Sequence, residues 1–320
     1  MAGKRAAIIF NPASGRPGRR AANAREMARL LSEGGISTEI FATQFSAHAT
    51  EIAAQAIAGG ANTIISYGGD GTLNEIIQSM PDTTASLAIW PGGTANVAAA
   101  ELGMPSRIER LADIIAAGKI RRIALGVTRF GNEEEQESGR EGEPQTDVVH
   151  SQSNYSSKRF FFMFAGIGLD ASIARDVNLR LKRVTGEFAF WVAGLRHLAT
   201  WEPEIFVVEA DGKKFESAFT LIGNGSRYGG GISVTPGAKL EEPWFEVYIL
   251  PPQPNKGIYL RNLASCLRGR PEETNAIMLR ARYIEANSSH KPWVEVDGEV
   301  IGPLPMSFEI VPDALSVIVP

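Results

Sequence analysis

The sequence predicts an α/β protein, with an N-terminal doubly wound parallel sheet and a β-rich C-terminal domain. Three observations predict it. Up to about residue 125, short apolar runs alternate with longer segments of helical spacing, the pattern of βαβ units. After residue 158, short apolar runs bounded by turn residues dominate, as in a strand-rich domain. Between them, residues 131–158 hold seven acids against Arg140 and Lys158, with few large apolar residues. Such a stretch cannot bury enough surface to offset its ordering entropy, and we read it as a solvated acidic insertion. At 320 residues the chain exceeds one ordinary core. The expected division is 1–125, joined by 310–320, and 126–309.

Taken in order, residues 6–10 read as a strand, 19–32 as a helix with Met27, Leu30 and Leu31 at helical spacing, and 37–42 as a strand. Residues 49–58 follow as a helix, 63–67 as a strand, 72–79 as a helix, 86–90 as a strand and 95–102 as a helix. In the second half, residues 159–165, 205–209, 219–223, 245–250, 281–286, 293–296 and 307–311 read as strands. One helical segment, roughly 175–198, interrupts them.

Composition excludes several classes. Hydrophobic content of 44% with 21% charged residues is that of a globular enzyme or binding protein. The single cysteine, Cys266, excludes an internal disulfide and argues against a Cys-rich metal site. The start, MAGKRAAIIF, lacks the pattern of a signal peptide, so a cytoplasmic location is expected. The longest uncharged run, 52–69, contains Gln55, Asn62, Thr63 and Ser66, and no transmembrane helix is expected. The net charge is −4; the acidic stretch accounts for −5, which leaves the remainder at +1 and no nucleic-acid footprint.

The chemistry concentrates in glycine loops at strand ends. SYGGDGTLNEII, residues 66–77, runs from a strand through Gly68 and Gly69 into a helix near Thr72. Backbone N–H groups at a helix N-terminus, with no side chains in the way, make a phosphate cradle. Asp70 would repel a phosphate unless a cation such as Mg²⁺ lies between them. The plainer reading is a tight turn in which Asp70 caps the helix. A second loop, Pro91-Gly92-Gly93-Thr94-Ala95-Asn96, repeats the arrangement, and Asn11, Ser14 and Gly15 close the first strand. Three such loops at one carboxyl edge lie where doubly wound sheets bind ligands. No G-x-x-x-x-G-K-[ST] occurs, which disfavours a P-loop. GIGLDA, residues 166–171, matches a dinucleotide fingerprint but lies in the strand-rich half.

GGDGTLNEI followed by PGGTANVAA, with NPASG near the start, resembles the diacylglycerol kinase catalytic domain family, in particular the bacterial lipid kinases. The wider superfamily, shared with NAD kinases and phosphofructokinases, carries only the Gly-Gly-Asp-Gly core. FAGIGLDA, IGNGSRYGGG and VEVDGE stand in the order that family shows, so the resemblance spans most of the chain.

The resemblance implies ATP and Mg²⁺ as cofactors and a lipid alcohol, such as diacylglycerol, as acceptor. Gly68, Gly69, Gly71 and Thr72 would bind the ATP phosphates, with Asp70 acting through Mg²⁺ and water. Asn11, Ser14, Asn74, Glu75, Gly93, Thr94 and Asn96 would complete the crevice, and Thr43 would lie beside the adenine or ribose. Asp297 would be the general base, supported by Glu299, although Asp297-Gly298 is by itself an ordinary hairpin turn signal. Relatives often hold a structural Mg²⁺ on aspartates where this chain has Glu241 and Glu246; Pro243 and Trp244 alter that loop. Arg227 is a candidate contact to phosphate or headgroup. Basic and aromatic residues at 175–201, among them Arg180, Lys182, Arg183, Phe188 and Trp191, suit either peripheral membrane contact or a core-packed helix. Pairing of exposed sheet edges would give a homo-oligomer. The rival readings are an NAD kinase, against which Thr94-Ala95-Asn96 speaks, and a non-catalytic nucleotide- or lipid-binding protein.

Overall fold

Residues 6–10, AAIIF, carry no polar side chain, and the strand they belong to, β1 (Arg5–Phe10), is covered on both faces. Such a run suits the middle of a parallel sheet with helices on either side. β3 (Thr63–Gly68) and β4 (Ser86–Pro91) repeat the pattern, with Ile64, Ile65, Leu87 and Ala88 fully buried. Each large aliphatic side chain so buried contributes about 1.5–3 kcal/mol. β2 (Ser37–Ala42), STEIFA, mixes polar and apolar residues and is mostly exposed, as befits an edge. The four run parallel in the order β2-β1-β3-β4. This computed structural model describes residues 4–12, 18–131, 157–169, 202–229 and 232–320.

The connections are α1 (Arg19–Glu33), α2 (His48–Ala58), α3 (Asp70–Ile77), α4 (Val97–Glu101) and α5 (Ile108–Ala117). Ala24, Met27 and Leu31 form the buried stripe of α1 at helical spacing. α1 packs against α5, and α2 against α3. The chain leaves β1 for β2 on one side and β3 for β4 on the other, so the strand order reverses between β1 and β3. The carboxyl ends of these two strands therefore flank the binding crevice of the sheet.

β5 (Ile120–Phe130) runs antiparallel to β16 (Met306–Ile318) along nearly its whole length. The far end of β16 also pairs parallel with β4, through Ser316↔Ser86 and Val317↔Leu87. The same sheet continues from β16 through β13 (Tyr283–Asn287) and β8 (Phe206–Ala210) to β9 (Lys213–Ser217), and β6 (Ser157–Phe161) lies on β5. A second, antiparallel sheet has the order β12 (Ile277–Ala281), β11 (Phe245–Leu250), β10 (Phe219–Gly223), β7 (Phe164–Gly168), β14 (Trp293–Val296) and β15 (Glu299–Pro303). The two sheets share a core that includes Phe161, Phe206, Phe245, Val294 and Phe308. α6 (Lys256–Leu267), between β11 and β12 in the chain, is capped by the Asn255 side chain, which accepts from the Ile258 N–H at 3.2 Å.

The α/β class holds, with a parallel first sheet and an antiparallel second half. Several local expectations do not. Residues 159–165 are two strands, β6 and β7, broken at Phe162-Met163, and residues 281–286 divide between β12 and β13 in different sheets. α3 opens at Asp70 and α4 at Val97, each shifted from the expected start. α5, β5, β9, α6 and β15 are additions. The expected division points near 125 and 309 fall inside β5 and β16. The helical segment 175–198 and residues 132–156 of the acidic insertion lie outside the described residues.

Candidate active site

β3 ends at Gly68, Gly69 caps α3, and Asp70 is the first residue of the helix. The neighbouring loop, Gly92-Gly93, meets it backbone to backbone. A Cβ on Gly93 would lie 2.5 Å from the Gly69 Cα, and one on Gly69 would lie 3.2 Å from the Gly93 Cα. The Gly92 N–H donates to the Gly68 carbonyl at 2.8 Å. The bareness of both loops thus first serves their contact with each other, and it sets the N-termini of α3 and α4 side by side.

Asn96 holds the second loop in shape. With φ at 50°, it turns its Oδ1 back to accept from the Gly92 and Gly93 N–H groups at 3.1 and 2.7 Å. Its Nδ2 donates to the Gly93 carbonyl at 2.8 Å. Asn96 thus folds the loop in which it was expected to contact nucleotide, while Thr94 is exposed at the loop tip. Arg20, which the sequence reading missed, fastens both exits. Buried on α1, it donates to the Tyr67 carbonyl at 3.1 Å and to the Gly92 carbonyl, and it lies 4.8 Å from the centre of the Tyr67 ring. Its only sequence signal is its place on the buried stripe, four residues before Ala24.

Asp70 is partly buried at the first turn of α3, where the helix dipole favours an acid. Its Oδ1 accepts from the Ala98 N–H at 3.4 Å. Burial pushes its carboxyl up from the ordinary value, while the N–H groups at the start of α4 pull it down. Thr43, buried beyond β2, donates its N–H to the Phe10 carbonyl at 2.9 Å, which places it beside Asn11 on the same carboxyl edge. Ser14 lies outside the described residues.

Two expected crevice residues point elsewhere. The Glu75 carboxylate accepts from the Ala49 N–H at 3.1 Å and so caps α2. Asn74 is buried and donates its Nδ2 to Asp297 Oδ2 at 2.9 Å. Both sit one turn into α3, where side chains project sideways from the axis and not from its N-terminal end.

Asp297 and Gly298, with φ of 48° and 83°, close the β14–β15 hairpin in the conformation a type I′ turn requires. The turn is also the meeting point of the two halves. Besides Asn74, the Asp297 carboxylate accepts from the N–H groups of Phe162 at 2.7 Å, Met163 at 2.8 Å and Phe164 at 3.2 Å. This explains why one expected strand breaks into β6 and β7: the bend presents three donors to one carboxylate. Burial pushes the Asp297 carboxyl up, and these donors oppose it. Four donors and no acceptor around the group suit the ionised form. A general base needs a lone pair aimed at its substrate. Each Asp297 oxygen accepts two hydrogen bonds here, so a role as general base would require one of these donors to give way to the substrate hydroxyl.

Glu299, two residues on, is better placed. Its side chain is half-buried, its Oε2 pairs with Arg159, and its Oε1 lies 3.3 Å from where a Cβ on Gly71 would be. The hairpin of the second sheet thus reaches the glycine loop of the first. The candidate metal pair is not assembled. Glu241 pairs with Arg121 at 3.0 Å, and Glu246 accepts from the Gly237 N–H at 2.6 Å. Among the described residues no group of three or more His, Cys, Asp or Glu gathers. Arg227 lies 3.6 Å from Glu101 on α4, which also accepts from the Ser226 N–H.

Comparison with known proteins identifies the family. Residues 5–128 match the diacylglycerol kinase catalytic domain, and residues 164–319 match the YegS C-terminal NAD kinase beta sandwich-like domain. A diacylglycerol kinase of Bacillus subtilis (strain 168) is 29% identical, over 95% of this chain and 93% of that protein. One from Staphylococcus aureus (strain MRSA252) is 27% identical, over 95% of this chain and 89% of its own length. The crystal structure of a diacylglycerol kinase from Bacillus anthracis str. Sterne shares the fold, with a TM-score of 0.75 at 20% identity, covering 100% of this chain and 98% of that one.

Proposed function

Since the chain belongs to the diacylglycerol kinase catalytic domain family, we propose that it transfers the γ-phosphate of Mg-ATP to the hydroxyl of a lipid acceptor such as diacylglycerol. The observation that carries the reading is the approach of Glu299 to Gly71. It brings a carboxylate of one half to the phosphate loop of the other, as transfer between two bound substrates requires.

In this reading the ATP phosphates lie along Gly68, Gly69, Gly71 and Thr72, with Thr94 at the rim and Asn11, Ser14 and Thr43 toward the nucleoside. Asp70 fits a cation: it is a partly buried carboxylate whose desolvation outweighs the pull of the N–H groups at the start of α4, the Ala98 contact being long at 3.4 Å, and a positive charge there would offset that desolvation. Mg²⁺ held there through water would neutralise charge on the phosphates. Glu299 orients the lipid hydroxyl and accepts its proton, a task for which an ordinary carboxylate suffices because the proton leaves late. Asp297 holds the hairpin that carries Glu299. A lipid acceptor calls for peripheral contact with a membrane surface. Among the described residues no helix is long and apolar enough to cross one.

The test is transfer of labelled γ-phosphate from Mg-ATP into an extracted membrane-lipid mixture, with NAD⁺ as parallel acceptor and Glu299→Gln as control. A labelled lipid that the control fails to make is the expected result, and its mass names the acceptor. Label in NADP⁺ would move the protein to the rival activity, and label in neither would leave a binding protein.

A further inference from the structure

The side chains that α3 turns away from the crevice meet β6. One turn beyond Asn74, Gln78 donates its Nε2 to the Phe160 carbonyl at 2.9 Å and accepts from the Phe160 N–H at 2.9 Å. Asn74 stands between two charged groups of the other half. Its Nδ2 donates to Asp297, and its Oδ1 accepts from Arg159 Nε at 3.2 Å and Nη2 at 2.7 Å. The amide can stand only one way: flipped, it would set N–H against guanidinium and oxygen against carboxylate. Arg159 Nη2 also donates to Glu299 Oε2.

We propose that Arg159 is a positioning residue for phosphoryl transfer, holding Glu299 in register with the glycine loop through Asn74. The inference rests on the reading of Glu299 given above. A guanidinium offers its donors in one rigid plane. Arg159 therefore fixes two acceptors relative to each other: an amide oxygen on the helix that begins at the phosphate loop, and the carboxylate that meets the acceptor. Side-chain exposures of 29% for Arg159 and 39% for Glu299 let solvent weaken their attraction. The contribution of the contact is accordingly one of geometry more than of stability. Arg159 itself bonds to Asn74 and Glu299 and to no residue of Gly68–Thr72 in these contacts, so its loss acts on the placement of Glu299 at the transfer step more than on nucleotide affinity.

The experiment compares Arg159→Met and Arg159→Lys with the wild type in Mg-ATP kinetics, using diacylglycerol in mixed micelles, with thermal unfolding alongside. Arg159→Met is expected to lower kcat by about 10²-fold, the cost of misplacing a reacting group by roughly 1 Å, with KM for ATP nearly unchanged. Arg159→Lys should recover part of kcat and unfold close to the wild type, which separates positioning from folding. Wild-type kcat in Arg159→Met, or a rise in KM for ATP with kcat intact, overturns the proposal. If the wild type labels NAD⁺ and no lipid, the acceptor reading fails, and the same kcat ratio is taken on NAD⁺. If it labels neither, urea unfolding of Arg159→Met, Asn74→Ala and the double variant decides. Non-additive losses support the coupling of the two residues, and additive ones reject it.

Discussion

Asp70 on the glycine loop and Asp297 on the hairpin turn are both carboxylates that burial pushes above the ordinary value, yet their surroundings differ. Asp297 accepts four hydrogen bonds of 2.7 to 3.2 Å. Asp70 accepts from the Ala98 N–H at a longer 3.4 Å, and the Val97 and Ala98 N–H groups at the start of α4 are the main influences that oppose its burial. The contrast separates two uses of a buried acid. One has its charge answered by the chain and so builds structure. The other has its charge answered in part, and under the proposed function a cation would supply the balance.

The largest effect expected from this contrast is on rate. Asp70→Asn should lower Mg-ATP-dependent transfer by about 10²–10³-fold, the range seen when one preorganised electrostatic group is lost, while circular dichroism stays native. Near wild-type turnover would erase the distinction. Next comes stability. Asp297→Ala leaves three backbone N–H groups and the Asn74 amide facing no acceptor, at about 1–3 kcal/mol for each buried donor. Urea unfolding should register a loss of several kcal/mol; a loss comparable to that of a surface substitution would show that the four bonds do not support the fold.

The smallest effect is in pH. The raised value of Asp70 means that the native state keeps this proton to higher pH than the unfolded chain does. Its contribution to stability is thus fully present below the ordinary aspartate value of about 3.9 and is lost as pH rises through the folded value. Without Mg²⁺, the unfolding midpoint of Asp70→Asn minus that of the wild type should therefore grow with pH across that window. A constant difference would mean that burial does not act on Asp70 as argued.

The parts legible in the sequence are those specified locally. β1, β3 and β4 declare themselves because each is covered on both faces and reads as a continuous apolar run. The glycine loops and the Asp297-Gly298 turn are equally plain, since positive φ and close backbone approach restrict residue choice. What stayed hidden is non-local. The three N–H groups that bind Asp297 lie 133 to 135 residues earlier, and a backbone donor leaves no mark on residue type. Arg20 and Arg159 each read as ordinary solvated cations until the fold brings carbonyls or an amide against them. Asn74 and Glu75 were drawn into the crevice by adjacency to the motif, whereas helix geometry turns them outward. The bend at Phe162-Met163 was invisible for the same reason as the carboxylate it serves.

β16 comes after every other described strand in the chain, yet it lies between β4 and β13 and along nearly the whole of β5. A ribosome therefore delivers the parallel strands and their glycine loops long before the strand that closes their sheet. Until β16 emerges, β4 and β5 present an open ladder edge, the surface on which nascent chains mispair and which chaperones shield. Completion of the first sheet therefore waits for β16, whereas every strand of the second sheet precedes it in the chain.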